Sequence, residues 1–163
     1  MKITFLGPAY PYRGGIASFN ERLAKQFSSE FKDVDIRTFR LQYPGILFPG
    51  KTQFSDGKRP SGIRITRELN SINPLNWIRT GFRINKERPD ILLVRYWIPF
   101  LAPCLGTISK IARFNKYTMV IALTDNIIPH EKRILDRRLT KYFLKNIDGA
   151  VVMSDTVRKE LES

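Results

Sequence analysis

The sequence predicts an α/β domain built on an open, mostly parallel sheet flanked by helices. Three observations predict it. Short runs rich in apolar residues recur along the chain, as strands buried on both faces require. Between them apolar residues fall three and four apart, the period of a helix with one buried face. Glycine, proline and asparagine mark the junctions between the two patterns.

Ile3, Phe5 and Leu6 form the first strand, which stops at Gly7. Ile16, Phe19, Leu23 and Phe27 are the expected inward face of the first helix. Val34, Ile36 and Phe39 mark a second strand. Residues 42–62 carry Pro44, Gly45, Pro49, Gly50, Gly57, Pro60 and Gly62 and read as one long loop, a kind of segment that is usually functional. Asn73-Pro74 opens a helix that runs to about Arg88, with proline in its first turn. Ile91 to Val94 is a third strand. Pro103 starts a helix with Leu105, Ile108, Ile111 and Ala112 inward. Met119 to Leu123 is a fourth strand, followed from about Glu131 by a helix with Leu135, Leu139 and Phe143 inward. Ala150 to Met153 is a fifth strand, and Asp155 is placed to cap a last short helix. Strict alternation of strand and helix is the mark of a Rossmann-like sheet.

The chain has 163 residues, 42% hydrophobic and 12% aromatic, which excludes a disordered chain and suits one domain spanning residues 1–163. One cysteine, Cys104, excludes an internal disulfide framework and a multi-cysteine zinc site. With one histidine besides, no metal site is expected, and no cofactor. No apolar run approaches the roughly 20 residues of a membrane span. The opening apolar run is broken at Pro8, too early for a signal peptide, so a cytoplasmic protein is expected. The net charge of +13 calls for an anionic partner. Residues 51–88 are the densest basic stretch, with nine bases against three acids, and no basic tail exists.

Ligands of such sheets bind beyond the carboxyl ends of the strands. After the first strand, Arg13-Gly14-Gly15 enters a helix; glycines let backbone N–H groups approach an anion, and Arg13 adds a forked donor for phosphate. The plainer reading is a turn that uses glycine for its dihedrals. The spaced three-glycine dinucleotide fingerprint is missing, which disfavours a nicotinamide or flavin cofactor. After the third strand come Arg95, Tyr96, Trp97 and Phe100. Strand alternation sets Arg95 and Trp97 on one side, which makes them the better ligand-binding candidates; Tyr96 and Phe100 read equally well as core. After the fourth strand lie Thr124, Asp125, Asn126, His130 and Glu131, which include the single histidine beside two carboxylates and an amide. The helix beyond repeats Arg133, Arg137, Lys141 and Lys145 at four-residue steps, a basic stripe suited to an anionic membrane surface or simply a solvated face.

Taken in order, Arg13-Gly14-Gly15-Ile16, the stretch from Asn126 to Glu131, and Asp148-Gly149-Ala150-Val151-Val152-Met153-Ser154 resemble the N-terminal domain of GT-B glycosyltransferases of the retaining family four. The resemblance spans nearly the whole chain. It implies the N-terminal half of a GT-B fold, the acceptor side of an enzyme whose second domain holds the nucleotide-sugar. By that resemblance, Gly14 and Gly15 with Arg13 approach the donor diphosphate. Arg95, Trp97, Asn126 and Glu131 meet a glycan or lipid-linked acceptor, and Asp125 and His130 are catalytic candidates. Family members often carry a histidine right after strand four, where this chain has Thr124. The resemblance does not choose among Asp125, Asn126 and His130 for that role. It further implies that the nucleotide-sugar domain lies beyond residue 163 and that this length alone does not turn over substrate. The competing expectation is a non-catalytic module for a phosphorylated ligand or nucleic acid; strands buried on both faces leave no sheet surface for stacking bases, so nucleic acid is not expected.

Overall fold

The structure, a computed structural model, describes residues 1–45, 53–124, 134–154 and 158. Six strands and four helices follow in the order β1 (Lys2–Leu6), α1 (Gly15–Glu30), β2 (Asp33–Leu41), β3 (Arg64–Asn70), α2 (Pro74–Glu87), β4 (Ile91–Tyr96), α3 (Ala102–Ala112), β5 (Met119–Thr124), α4 (Ile134–Leu144) and β6 (Gly149–Val152). All pairings are parallel, in the order β3-β2-β1-β4-β5-β6. This is the Rossmann strand order, so the expected Rossmann-like open sheet is present.

Two apolar clusters sandwich the sheet. Alternation along β1 sends Ile3 and Phe5 to one side and Leu6 to the other. The larger cluster gathers Ile84 of α2, Leu105 and Ile108 of α3 and Phe143 of α4 against Leu92, Val94 and Val120. The smaller sets Ala24 of α1 against Phe5, Ile36 and Leu93. Asn73 caps α2, its Oδ1 accepting from the N–H groups of Leu75 (3.0 Å) and Asn76 (3.3 Å), with Pro74 in the first turn.

Four expectations need correction. A strand, β3, was not foreseen. Its sequence Arg-Ile-Thr-Arg-Glu-Leu-Asn carries three charged residues of seven because it is an edge strand, where charge guards against unwanted pairing. In α1 the wholly buried residues are Ala17, Asn20 and Ala24, whereas Phe19 is 36% exposed. Small residues take the innermost positions of the helix, and Leu23 and Phe27 pack half-buried against the smaller cluster. In α4, Phe143 is wholly buried and Leu139 half-buried, but Leu135 is 64% exposed. Finally, the strands are not all covered on both faces: Val151 of β6 is 48% exposed, since β6 is the opposite edge and pairs only with β5.

β2 carries an ionic cluster inside the fold. Arg37 donates from Nε to Asp35 (2.6 Å), from one terminal nitrogen to Glu68 of β3 (2.8 Å) and from the other to Glu87 of α2 (2.6 Å). Thr4 Oγ1 donates to the second oxygen of Asp35 at 2.8 Å. Burial pulls the Arg37 pKa down, and the carboxylates more than offset it, so the guanidinium is held charged.

Candidate functional site

In this strand order the chain leaves β1 for α1 on one face of the sheet and leaves β4 for α3 on the other. The two adjacent strand ends therefore diverge and open a crevice between them, the topological switch point. The first residue at its floor is Gly7. A Cβ there would lie 2.7 Å from the Cβ of Arg95 and 3.2 Å from Asn20 Nδ2, so only glycine lets the ends of β1 and β4 and the helix α1 meet.

The loop from Gly7 to Gly14 is pinned at successive points. Gly7 N–H donates to the Arg37 carbonyl (3.1 Å), and Ala9 N–H to Thr38 Oγ1 (3.0 Å). The Pro8 carbonyl accepts from Asn20 Nδ2 (2.8 Å), and Tyr10 N–H donates to Glu21 Oε1 (2.6 Å). Burial pushes the Glu21 carboxyl above its ordinary pKa, with the Tyr10 N–H pulling the other way. On the outer side Arg13 N–H donates to the Gln53 carbonyl (3.0 Å) and Ser55 N–H to the Pro11 carbonyl (2.7 Å), and the rings of Tyr12 and Phe54 sit 5.3 Å apart. The Tyr10–Pro11 peptide is cis.

The loop ends at the N-terminus of α1, which no side chain caps. Gly14 has φ 120° and ψ 167°, a conformation reserved for glycine. Gly15 has no such need, and a Cβ on either glycine would meet nothing within 4 Å. The backbone at Gly14 and Gly15 is exposed at the start of the helix, with Arg13 exposed beside it. One turn along α1, Phe19 lies under the Arg95 guanidinium, whose carbon is 4.8 Å from the ring centroid. Arg95 is only 4% exposed. Asn20 next to it is buried, and its Oδ1 has no hydrogen-bond partner among the described residues.

The strand ends at Tyr96, so strand alternation does not extend to Trp97. Trp97 instead turns to β2: its ring meets Phe39 edge-on at 6.3 Å, and its Nε1 donates to the Tyr43 hydroxyl at 2.8 Å. Burial raises the Tyr43 pKa, opposed by that bond. Tyr96 is core: it stacks on Phe143 at 4.3 Å, and its hydroxyl shares a 2.8 Å bond with Thr140. Phe100 is half-buried against Tyr43 at 6.2 Å. Thr124 ends β5 wholly buried, its Oγ1 without a hydrogen-bond partner among the described residues while its carbonyl accepts from Met153 N–H at 3.2 Å. Asp125, Asn126, His130, Glu131 and Arg133 lie outside the described residues. Arg137 and Lys141 are exposed on α4, and Lys145 is exposed just after its end.

The crevice thus joins a buried guanidinium, a buried amide and an exposed helix N-terminus, a set whose chemistry suits an anionic group flanked by hydroxyls. Asn20, Glu21, Phe19 and Tyr43 were not singled out by sequence. A signal for Asn20 was there, since Ala17, Asn20 and Ala24 share the three-four spacing of a buried face and asparagine is the odd member. Cys104 is buried in α3, and burial pushes its thiol up to about 12.

No protein-family model matches the chain, and no curated protein matches it in sequence. Among solved structures it is similar in fold to the UDP-GlcNAc 2-epimerase from Methanocaldococcus jannaschii, with a TM-score of 0.58 at 10% identity. The match covers 99% of this chain and 42% of that one, so the chain spans less than half the length of the structure it resembles. At this identity the likeness is one of fold, a Rossmann-like α/β sheet of GT-B-like type. Among the described residues, no helix is long and apolar enough to cross a membrane.

Proposed function

We propose that the chain is the acceptor-side, N-terminal domain of a retaining glycosyltransferase that moves a sugar from a nucleotide-sugar donor to a cell-envelope or lipid-linked glycan. A single observation carries this reading: the N-terminus of α1 at Gly14–Gly15, exposed and capped by no side chain, set one turn from the buried Arg95 at the β1/β4 switch point. A diphosphate leaving group needs preorganised N–H donors and a cation, and no metal, if these are aimed at it in advance. In this reading Gly14, Gly15 and Arg13 reach the donor diphosphate from across a cleft, and a second Rossmann-like domain beyond residue 163 holds the nucleotide. Arg95 and Trp97, with Asn126 and Glu131, bind the acceptor; Asp125 and His130 are the candidates for proton handling near the reacting sugar. The similarity in fold to a UDP-GlcNAc 2-epimerase supports a sugar-nucleotide setting of this kind. The protein works in the cytoplasm, peripheral to the inner face of the membrane, with Arg137, Lys141, Lys145 and Arg133 toward anionic lipid.

The test is to extend the chain with its downstream coding sequence and assay transfer from nucleotide-sugars to extracted lipid-linked acceptors. Transfer with retained anomeric configuration, lost in Gly15→Leu, supports the reading. Epimerisation of a free nucleotide-sugar without any acceptor replaces it, as does turnover by the 163-residue chain alone. The charge of +13 favours a second reading, a non-catalytic module for a phosphorylated ligand or nucleic acid. Tight, salt-sensitive binding to random nucleic acid is its expected signature.

A further inference from the structure

The solvent side of α2 is unlike an ordinary polar helix face. Leu75 is 77% exposed, Ile78 43% and Phe82 53%, at steps of three and four that put them on one stripe. Phe114, 56% exposed at the end of α3, extends it, with its ring 6.5 Å from that of Phe82. The opposite side of α2 is already used: Ile84 and Thr80 are buried, and Gly81 packs so closely on α3 that a Cβ would come 2.8 Å from Ile111. The stripe is therefore surplus to the core. Exposed cations rim it, Arg79 and Lys86 on α2 and Lys110 on α3. The one acid of α2, Glu87, is turned inward to Arg37, and α3 has none.

We propose that this face of α2 is a docking surface for an anionic lipid bilayer, with Leu75, Ile78, Phe82 and Phe114 entering the headgroup–acyl boundary and the three cations meeting phosphate groups. An apolar stripe rimmed by cations is the pattern of helices that lie in the plane of a membrane. The charge selects this occupant over a second copy of the chain. A two-fold contact would set like cations against each other around the apolar centre, whereas an anionic bilayer neutralises all of them. The inference does not rest on the transferase reading, and it adds an apolar anchor that the basic stripe of α4 lacks. It has a geometric consequence. The chain enters α2 from the carboxyl end of β3, so Leu75 lies at the end of the sheet where the crevice opens.

The test is co-flotation of the 163-residue chain with vesicles of phosphatidylcholine alone or mixed equally with phosphatidylglycerol. The expected result is at least about tenfold tighter binding to the mixed vesicles. The double variant Leu75→Ser/Phe82→Ser, which leaves every charge in place, should lose about tenfold or more of that binding with an unchanged melting curve. Arg79→Glu/Lys86→Glu should lose the preference for anionic vesicles. Undiminished flotation of the serine variant overturns the proposal and leaves binding to α4, which Arg137→Glu/Lys141→Glu then abolishes. A wild-type dimer in sedimentation that the serine variant dissolves also overturns it, in favour of a second copy.

Discussion

Gly7 and Arg95 touch backbone to side chain at the ends of two adjacent strands, so closely that a Cβ on Gly7 would stand 2.7 Å from that of Arg95. That contact sets where the guanidinium of Arg95 emerges, over Phe19 and beside Asn20. Gly7→Ala should therefore destabilise the fold by about 1–3 kcal/mol, the range for overpacking. It should also displace Arg95. Urea unfolding measures the first effect. For the second, a nucleoside diphosphate titrated into the extended protein should bind more weakly than the stability loss alone explains.

The two glycines at the start of α1 should behave oppositely. Gly14→Ala forces φ 120° on an alanine and should cost about 1–3 kcal/mol in chemical denaturation. Gly15→Ala meets no atom within 4 Å and should be neutral or stabilising by up to about 1 kcal/mol. A bulky residue at position 15 should spare the fold and impair only ligand binding, a split that separates a phosphate site from a structural turn.

Arg37→Met should be among the most damaging single changes in the chain. It removes the 2.6 Å partner of the buried Asp35 and of Glu87 and leaves buried Glu68 with only the more exposed Arg83 at 3.0 Å. Breaking a buried ionic cluster from one side costs about 3–5 kcal/mol. Thermal melts of the variant check this. The triple change that also replaces Asp35 and Glu68 by apolar residues should recover much of the loss.

Tyr96 makes stability fall at high pH. Burial raises its pKa from 10.0 to about 12, with the Thr140 hydroxyl pulling down and Asp136 pushing up. Because the folded value lies above the unfolded one, the folded state holds the proton longer. The contribution to stability is complete below about pH 10 and is lost as pH rises from there toward about 12. Unfolding curves across that window, compared with Tyr96→Phe, should show a shallower slope in the variant, the remainder coming from other groups whose pKa burial raises, Cys104 and Tyr43 among them. The variant itself should cost about 0.5–1.5 kcal/mol at neutral pH for the lost hydrogen bond.

Buried strands were the most legible elements. β1, β4 and β5 are mostly apolar because both faces meet helices or loops, where an unpaired polar group is costly. β3 was illegible for the same physical reason reversed. As an edge strand it tolerates Arg64 and Arg67 at exposed positions, and its buried Glu68 is intelligible only once Arg37 is beside it. The inward face of α1 was misjudged because hydrophobicity alone favoured Phe19 and Leu23, while Ala17 and Ala24 take the innermost positions. Half of the candidate site was legible as motif: Arg13, Gly14, Gly15 and Arg95 all lie where strand ends were expected. Asn20 and Glu21 were not, since a polar residue on a helix has no meaning until the loop it binds is in place.

The sequence by itself determined the fold class, the positions of the buried strands and the excess of positive charge, because these follow from local periodicity and composition. Only the tertiary structure decided the strand order and hence the location of the crevice. It alone decided the need for glycine at position 7 and the surplus of apolar side chains along α2. Each of these depends on which segments become neighbours, and contact between residues far apart in the chain leaves no period to read.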